Sequence, residues 1–490
     1  IGFLAKGASL TIYIGLILFT GLGFLFSPWY YLGSGFFLLF FALEFYLKFI
    51  QKKHAILRNF GFFGGIRYIM ESVGPELRQY WIASDTEERP FTRRERGEVY
   101  QYAKNDIGTA AFGSMEELNY GMIRHSMYPL KMKDLEPYSL TFGEERGIES
   151  TYTINKPFII SAMSFGALGE NAVRALARGA KLAGIPMNTG EGGFPKYHLM
   201  EKPDIIFQMG TAKFGVRNED ATLNEDKLKE ICSINNIRMV EIKLSQGAKP
   251  GKGGLLPGSK VTPEIAELRG VKVGQDVYSP PGHVECDSPE NTVGFIKRVQ
   301  DVSGLPVGIK LCLGNEAEFR ELVLAMKENS VFPDYISIDG AEGGTGAAPR
   351  SFMDYVGIPL FRALTAVNNL LKEEEIRDKF KLLCAGKLIN PARQMKAFAY
   401  GADAVYTARG FMLAIGCIQA LQCNTGSCPV GITTHDKALQ RGLHIETKAK
   451  RVANYVNNLD HGLQELLAAT GCRSLSEINT ENLFNPWEYN

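Results

Sequence analysis

The strongest constraint on the fold is an eightfold alternation of short apolar runs and helix-like segments between residues 157 and 410. Near-continuous apolar strands that alternate with helices indicate a parallel sheet covered on both faces. Eight such units predict a closed (β/α)8 TIM barrel of the α/β class. The eight runs are residues 157–166, 185–193, 204–210, 238–247, 305–314, 334–344, 381–388 and 402–410.

An open, doubly wound sheet is the alternative fold for the same alternation. Such a sheet carries a glycine-rich fingerprint directly after its first strand. The segment after the first run, "SAMSFGALGEN" at residues 161–171, lacks this fingerprint. The barrel is therefore the preferred interpretation, and NAD(P)H is not expected to bind to this chain.

The composition excludes some classes of function. The formal net charge is only +1, so bulk electrostatics do not indicate a nucleic-acid partner. Eight cysteines in 490 residues are too few for a disulfide scaffold. The 52 glycines occur in short clusters, which predicts tight loops around a ligand.

The N-terminal region predicts a membrane hairpin. No charged residue occurs between Gly7 and Leu43, and this length fits two spans, at about residues 10–26 and 32–50. Lys52, Lys53 and Arg58 follow the second span, so the positive-inside bias predicts both ends and the catalytic domain in the cytoplasm. A signal peptide and a buried core hairpin are the alternatives.

The sequence divides into four predicted segments. A transmembrane hairpin occupies residues 1–55, and an irregular N-terminal extension that packs on the barrel occupies residues 56–150. The barrel is assigned to residues 151–475, and a C-terminal tail to residues 476–490. The connection between the fourth and fifth strands, residues 245–305, is unusually long, which predicts a functional loop at the barrel mouth.

Polar and small residues follow most of the predicted strands, at the barrel face where active sites lie. Loops after strands seven and eight commonly bind a phosphate in this fold, and small residues let backbone N–H groups approach its oxygens. Ordinary turn glycines are the alternative for each loop alone. The candidate positions at strand ends are Ser161, Ser164, Asn188 to Gly193, Lys243, Gln246, Lys310, Asp339 to Gly346, Gly386, Lys387, Arg409 and Gly410.

Lys310 lies within the otherwise apolar run "VGIKLCL". A lysine in such a strand is costly unless it meets an anion or an electron-rich ring in the barrel mouth. A lysine that simply points outward is the alternative.

Three cysteines follow the eighth predicted strand. Cys417, Cys423 and Cys428 lie within twelve residues, and Pro429 follows the last of them. Structural zinc needs four ligands, often in C-x2-C pairs, and the first histidine after the run is His435. Thiolates that end in Cys-Pro are typical of iron–sulfur binding, and three ligands suit a cluster that lacks one iron corner, [3Fe-4S]. Buried free thiols are the alternative.

Five segments carry a resemblance to a known family: "SAMSFGALGE", "MNTGEGG", "EIKLSQGAKPGKGGLLPGSKV", "DGAEGGTGAAP" and "GCIQALQCNTGSCPVGITTHD". They resemble the flavin-binding synthase domain of glutamate synthases, and the resemblance covers roughly residues 125 to 470. Its most specific parts are the "GAKPG" loop and the three-cysteine segment.

The resemblance implies FMN in the barrel beside a [3Fe-4S] cluster held by Cys417, Cys423 and Cys428. It also implies that Lys310 faces the N1/O2 edge of the flavin, and that Lys249 and Arg269 contact the dicarboxylate substrate. Other implied cofactor contacts are Ser161, Ala162, Met163 and Ser164 under the ring, Asn188, Gln246 and Asp339 at strand ends, and Gly343, Gly344, Thr345, Gly346, Gly386, Lys387, Ala408, Arg409 and Gly410 for the phosphate.

The reaction that the resemblance implies is the reductive amination of 2-oxoglutarate to L-glutamate. An electron-donor protein, either a ferredoxin or a reductase subunit, supplies electrons through the cluster to FMN. No cysteine precedes Cys232, so we expect no glutaminase domain, and ammonia comes from solution or from a separate glutaminase.

One departure from the family pattern concerns the substrate. Leu255 stands where the family has a glutamine that helps to bind 2-oxoglutarate. A different 2-oxo acid or an amine substrate with the same cofactors is therefore a second hypothesis. A non-catalytic membrane electron-relay module is the third.

Overall fold

The computed structural model describes residues 2–106, 108–115, 121–256, 258 and 261–484. The chain forms two compact units, residues 1–93 and 94–490. The predicted segment boundaries at residues 55, 150 and 475 stay predictions, and residues 485–490 of the predicted tail lie outside the described residues.

The first unit contains an antiparallel helical hairpin followed by shorter helices. Thr20 donates a 3.1 Å hydrogen bond to Ser34 across the hairpin. The helices are α1 (Gly2–Leu25), α2 (Tyr30–Phe45), α3 (Ala55–Phe60) and α4 (Phe62–Leu77), and π-helical turns extend α2 over Tyr46–Ile50 and α4 over Arg78–Ile82.

One helix of the hairpin is long and apolar enough to cross a membrane. It runs over 21 residues, Tyr30–Ile50, and only 6% of its most apolar window is buried. That exposure argues against the core-hairpin alternative, because a core helix is mostly buried. The first helix contributes a shorter apolar segment, Ser9–Leu25.

The second unit contains the barrel and its surrounding helices. Its strands are β1 (Leu140–Phe142), β2 (Tyr152–Ile154), β3 (Phe158–Ile160), β4 (Met187–Asn188), β5 (Ile205–Met209), β6 (Ile237–Lys243), β7 (Leu255–Leu256), β8 (Val277–Tyr278), β9 (Val307–Leu311), β10 (Tyr335–Asp339), β11 (Lys381–Ala385) and β12 (Ala404–Thr407). Its helices are α5 (Arg93–Lys104), α6 (Glu170–Ala183), α7 (Lys196–Leu199), α8 (Glu225–Cys232), α9 (Pro263–Arg269), α10 (Pro289–Ser303), α11 (Glu316–Asn329), α12 (Arg350–Tyr355), α13 (Leu360–Glu373), α14 (Pro391–Ala399), α15 (Arg409–Ala414), α16 (Lys437–Gln440) and α17 (Ile445–Thr470).

Eight parallel strands close the barrel in the order β3-β4-β5-β6-β9-β10-β11-β12, and β12 pairs with β3 again. At the closing seam, Val405 pairs with Phe158 and Thr407 with Ile160. Seven of these strands lie within the predicted runs, and β6 begins at Ile237, one residue before its run. The prediction of a (β/α)8 barrel is therefore confirmed, and the open-sheet alternative is wrong.

A two-stranded hairpin closes the amino end of the barrel. Strands β1 and β2 pair antiparallel, and Phe142 of β1 packs edge-on against Tyr335, the first residue of β10. Both side chains are fully buried. Within the described residues this packing fills the amino end, so the site is expected at the opposite end, where the carboxyl ends of the strands lie.

The segment between residues 56 and 150 contains more helix than the sequence predicts. The charged stretch "RRERGEVYQYAK" forms the amphipathic helix α5. Arg96, Val99 and Ala103 are buried along one side of it, at the three- and four-residue spacing of a helix face. Because one of these buried positions is an arginine, the spacing of hydrophobic residues alone does not predict this helix.

The long connection between β6 and β9 folds into a small subdomain. Strands β7 and β8 pair antiparallel, and Thr262 caps α9 by accepting a hydrogen bond from the Ile265 N–H at 3.2 Å. Val261, Ala266 and Val277 of this connection pack against residues that follow β5, among them Phe214. The connection thereby lies over one side of the barrel mouth.

Candidate active site

Lys310 points into the barrel. Its side chain is 6% exposed, its Nζ lies 3.9 Å from Oδ2 of Asp339 and 5.6 Å from the centre of the Tyr406 ring. The lysine thus meets both an anion and an electron-rich ring, and the outward-facing alternative is wrong. Asp339 also accepts a 3.0 Å hydrogen bond from the Gly247 N–H, which fixes the loop after β6.

A buried carboxylate lies deeper in the barrel. Glu241 of β6 is fully buried and accepts hydrogen bonds from the amides of Asn188 and Gln208, at 2.8 and 2.7 Å. The Tyr406 hydroxyl donates to its other oxygen at 2.8 Å. Three donors from β4, β5 and β12 satisfy this carboxylate, as a buried charge requires. Asn188, predicted as a cofactor contact, thereby helps to build the barrel interior.

A second carboxylate at the mouth is surrounded by cations. Glu191 follows β4 and forms a 2.6 Å ion pair with Lys243 at the end of β6. Burial works to raise the pKa of Glu191, but Lys243, Lys249 and Arg269 outweigh it and lower this pKa below its usual value. The structure therefore brings the two predicted substrate contacts, Lys249 and Arg269, to one carboxylate.

Arg269 is held rigidly but retains an unused donor. It is 8% exposed, and its guanidinium stacks on Phe214 at 5.0 Å. Its Nε has no hydrogen-bond partner among the described residues. Burial lowers the pKa of Arg269, and Glu191 offsets part of this effect. A buried, incompletely paired guanidinium is suited to an anionic ligand.

A small cavity of about 20 Å³ lies beside this cluster of charges. Its lining combines the end of β6, including Gln246, with the long connection that carries Lys249. Burial lowers the pKa of Lys249, and Glu191 opposes this effect. Gly253 and Gly254, directly before Leu255, also line the cavity. The lining of the cavity is thus polar and cationic, which favours an anionic group.

The segment after β3 forms another wall of the mouth. The Ser161 N–H donates to the Thr407 carbonyl at 3.0 Å, and the Met163 carbonyl contacts Nε2 of buried His198 at 3.0 Å. Gly190 has a φ of +66°, and a Cβ there would lie 2.8 Å from the Ser164 backbone nitrogen. Close backbone packing thus fixes the predicted segment from Ser161 through Ala162 to Ser164.

Cations gather at the loops after the last two barrel strands. Burial lowers the pKa of Lys387, and Arg409 and Arg393 lower it further. Gly344, from the loop after β10, packs so closely that a Cβ would lie 2.8 Å from Nε of Arg409. Glu95 and Glu342 offset part of this repulsion, and the cations that remain beside small residues fit the binding of a phosphate group. The neighbouring predicted positions are Gly343, Thr345, Gly346, Gly386, Ala408 and Gly410.

The three predicted sulfur ligands lie together in the loop after α15. Burial raises the pKa of the Cys417 thiol to about 11, and the nearby Cys423 and Cys428 add to this rise. All three are free cysteines. No three His, Cys, Asp or Glu side chains in the described part of the chain are arranged around a single metal ion. A cluster of several irons, by contrast, holds its sulfur ligands farther apart.

The surroundings of Cys428 fit a thiolate ligand. Burial works to raise its pKa, but the backbone N–H groups of Thr433, Ile432 and Val430 outweigh this effect and lower the pKa. Hydrogen bonds to sulfur are among the features that tune iron–sulfur centres. The surroundings of Cys428 thus favour a thiolate, whereas burial raises the pKa of Cys417 and Cys423, so the three-thiolate cluster stays a prediction.

The sequence placed Glu191 among the polar residues after a strand but gave it no role of its own, and it did not single out Glu241. Both lie within segments that carry the family resemblance, "MNTGEGG" and "EIKLSQGAKPGKGGLLPGSKV". Their partners come from other strands, so only the closed barrel reveals them. A charged residue within an apolar strand was the available signal for Glu241, as it was for Lys310.

A closed parallel barrel with a charged mouth at the carboxyl ends of its strands defines the class of (β/α)8-barrel enzymes. Residues 109–473 match the conserved region in glutamate synthase. The chain belongs to the glutamate synthase family, and it is an oxidoreductase.

Three relatives illustrate this membership. The glutamate synthase large subunit-like protein YerD of Bacillus subtilis is 39% identical over 88% of this chain and 90% of its own length. The archaeal glutamate synthase (NADPH) of Methanocaldococcus jannaschii is 38% identical over 66% of this chain, which spans 61% of that enzyme. The ferredoxin-dependent glutamate synthase of Cyanidium caldarium is 30% identical over 79% of this chain and 26% of its own length.

Proposed function

We propose that this chain is a membrane-anchored glutamate synthase-like oxidoreductase that depends on FMN and a [3Fe-4S] cluster. Its reaction is the reductive amination of 2-oxoglutarate to L-glutamate. The observation that carries the proposal is the group of three cations around Glu191 at the barrel mouth. Two cations remain uncompensated there, and a dicarboxylate supplies two negative charges.

Lys249 and Arg269 are the proposed substrate-binding residues. Lys249 lines the cavity, whereas Arg269 lies outside its lining and acts through the positive charge of its guanidinium beside Glu191. Glu191 forms its direct ion pair with Lys243. The charges of Lys249 and Arg269 therefore remain available for a substrate. Charge-assisted hydrogen bonds of this kind contribute roughly 1.5–3 kcal/mol each.

FMN, when bound, supplies hydride transfer. Lys387 and Arg409 are the proposed phosphate-binding residues, and the segment Ser161–Ser164 is the proposed floor under the ring. Lys310 places a positive charge at the mouth, where it favours negative charge on a bound ligand. Its contacts with Asp339 and Tyr406 hold its ammonium group in that position.

Cys417, Cys423 and Cys428 are the proposed ligands of the cluster, which stores and passes electrons when bound. Relatives carry NADPH or ferredoxin in their names, which supports an electron-donor protein as partner. Ammonia from solution, or from a separate glutaminase, is the proposed nitrogen source.

A second candidate changes only the substrate. Leu255 follows two glycines that line the cavity, and the family resemblance places a glutamine at its position. An apolar residue there removes a donor that a carboxylate could use. A 2-oxo acid with a less polar side chain is therefore the alternative substrate.

The helical hairpin of the first unit is the proposed membrane anchor, with lipid as its partner and the catalytic unit in the cytoplasm. The exposed, apolar helix Tyr30–Ile50 supports a span, and Lys52 and Lys53 follow it directly. Extraction of the full chain from membranes by detergent, but not by alkaline carbonate, is the expected result. Release by carbonate would contradict the anchor.

Purification under anaerobic conditions tests the cofactors. We expect flavin absorbance that identifies FMN, iron and sulfide in a three-to-four ratio, and an electron paramagnetic resonance signal of an oxidised [3Fe-4S] cluster. Cys423→Ser should lose the iron and keep FMN, whereas Cys472→Ser, outside the loop, should keep both. Full iron content in Cys423→Ser would contradict the ligand assignment.

Chemically reduced enzyme then tests the reaction. Addition of 2-oxoglutarate and ammonium should reoxidise the flavin and form one glutamate for each two electrons consumed. A screen of other 2-oxo acids under the same conditions separates the two substrate hypotheses. Faster flavin reoxidation with an apolar 2-oxo acid would favour the alternative, and no reoxidation with any of them would reject both.

A further inference from the structure

Helix α4 carries an exposed apolar stripe. Its six members repeat at three- and four-residue spacing, so they lie on one side of the helix. Arg67 and Glu71 lie on the opposite side. The six side chains, each between 39% and 58% exposed, are Phe62, Ile66, Ile69, Met70, Val73 and Leu77. A stripe of this kind requires an apolar partner.

Exposed aromatic residues continue the stripe beyond the end of α4. Tyr80, Trp81 and Ile82, in the π-helical turn Arg78–Ile82, are 50%, 85% and 74% exposed. Tyrosine and tryptophan favour the layer between membrane and water, because their rings are apolar with one polar atom. This composition favours the lipid interface over a protein partner.

The start of α4 lies beside the charged end of the candidate span. Phe62 contacts Phe40 of α2, with ring centres 6.2 Å apart. A Cβ on Gly61 would lie 2.9 Å from both the Glu44 carboxylate and the Lys48 side chain. Glu44 and Lys48 form a 2.6 Å ion pair one helical turn apart. A lysine at this position extends toward the headgroup layer, so α4 begins near that depth.

The charge around α4 suits an anionic lipid surface. Five basic residues and two acidic residues occur between residues 52 and 78, counting histidine as neutral. Basic residues close to a span are attracted to anionic headgroups. An amphipathic helix with this balance lies in the plane of the interface, with its apolar side in the upper acyl region.

On the basis of the proposed membrane anchoring, we propose that α4 and residues 80–82 bind the interfacial layer of an anionic phospholipid bilayer. The hairpin holds the chain in the membrane, and α4 is a second, shallow contact. Two contacts at different depths restrict the tilt of the first unit relative to the bilayer, which a hairpin alone leaves free.

The three tryptophans of the chain, Trp29, Trp81 and Trp487, make a depth measurement possible. The full-length holoprotein with Trp29→Phe and Trp487→Phe leaves only Trp81. A matched protein with Trp81→Phe and Trp487→Phe leaves only Trp29, in the hairpin turn. Both are reconstituted in phosphatidylcholine–phosphatidylglycerol vesicles whose lipids carry bromine either near the headgroup or near the bilayer centre.

We expect shallow bromines to quench Trp81 at least twofold more strongly than deep bromines do. Trp29 should also be quenched, because it reports insertion of the hairpin. Quenching of Trp29 without quenching of Trp81 would overturn the interfacial helix and leave the anchor intact. Stronger quenching of Trp81 by deep bromines would overturn it too. Absence of quenching at both positions would reject the anchor, and the inference with it.

A pair of double variants tests the stripe itself in the Trp81-only protein. Ile69→Gln with Val73→Gln should reduce the quenching of Trp81 severalfold. Arg67→Gln with Glu71→Gln, on the polar side and without a change in net charge, should preserve it. FMN content measured on the same samples verifies that each protein is folded. Unchanged quenching in the Ile69→Gln, Val73→Gln protein would overturn the proposal. Evidence that α4 docks on a second copy of the protein would overturn it as well.

Discussion

The Tyr100 hydroxyl donates a 2.6 Å hydrogen bond to the backbone carbonyl of Cys417. Tyr100 lies on α5, which ends before the region that matches the glutamate synthase family begins, at residue 109. Arg96, one helical turn earlier, is buried and slightly offsets the rise that burial causes in the pKa of Cys417. An element outside the conserved region therefore fixes the first of the three proposed cluster ligands.

Tyr100→Phe should make the cluster easier to lose. The substitution leaves a partly buried carbonyl without its donor, which costs roughly 1–3 kcal/mol and loosens the loop that begins at Cys417. We expect an iron chelator to remove iron from the variant about tenfold faster, while FMN stays bound. The ratio of iron to flavin over time is the measurement.

Tyr128→Phe is the matched control for this experiment, because Tyr128 is 83% exposed. It should lose iron at the rate of the unchanged protein. Equal rates for Tyr100→Phe and Tyr128→Phe would show that the hydrogen bond to Cys417 does not hold the cluster loop.

Glu191→Gln should shift the alkaline limit of activity to lower pH. Burial lowers the pKa of Lys249, and the Glu191 carboxylate raises it again. Without that carboxylate the pKa of Lys249 falls further, so Lys249 loses its proton, and its affinity for a carboxylate substrate, at a lower pH. The measurement is KM for the 2-oxo acid across the alkaline range.

Glu264→Gln serves as the control for this shift. Glu264 pairs with Lys196 at 2.8 Å, away from the cavity. The pH profile of this variant should match that of the unchanged enzyme. A Glu191→Gln profile that also matches would mean that Lys249 does not titrate in substrate binding.

The sequence predicts the barrel well because its strands are buried on both faces. Each run of apolar residues is therefore continuous, and β6, with only Arg238 less than fully buried, shows this clearly. Burial of this kind is a local property of the chain, and local patterns reveal it. The same reasoning identified Lys310, because a lysine interrupts such a run.

The sequence does not predict which polar side chains meet. Asn188, Gln208, Glu241 and Tyr406 come from four strands, and they contact one another only because β12 pairs with β3 and closes the barrel. Their separation along the chain contains no information on this contact. Glu191 is similar, since its cations come from β6, the long connection and α9.

Leu255→Gln should increase the preference for 2-oxoglutarate over apolar 2-oxo acids. The new amide adds a donor directly after the glycines that line the cavity. A site that gains one hydrogen bond to a charged group gains about tenfold or more in affinity. The ratio of kcat/KM for the two substrates is the measurement, and Val273→Gln, exposed on the same connection, is the control. An unchanged ratio would show that position 255 does not select the substrate.

Acid should destabilise the barrel through two buried histidines. Burial lowers the pKa of His198 to about 4, and burial with the nearby Lys213 lowers the pKa of His283 to about 4. In the unfolded chain a histidine titrates near 6.5. Between these two pKa values the unfolded state binds more protons than the folded state. The free energy of unfolding is therefore undiminished above about pH 6.5. It falls as the pH drops toward 4, by about 1.4 kcal/mol per pH unit for each histidine.

His198→Gln should therefore reduce the acid sensitivity of the catalytic unit. Glutamine can still donate to the Met163 carbonyl, which His198 contacts at 3.0 Å, but it takes up no proton. The midpoint temperature for thermal release of FMN, measured from pH 7 down to pH 5, should decline less steeply in the variant. His461→Gln, on the exposed surface of α17, should keep the original slope. If both variants show that slope, protonation of His198 does not contribute to acid unfolding, and its position behind the wall of the active site is structural only.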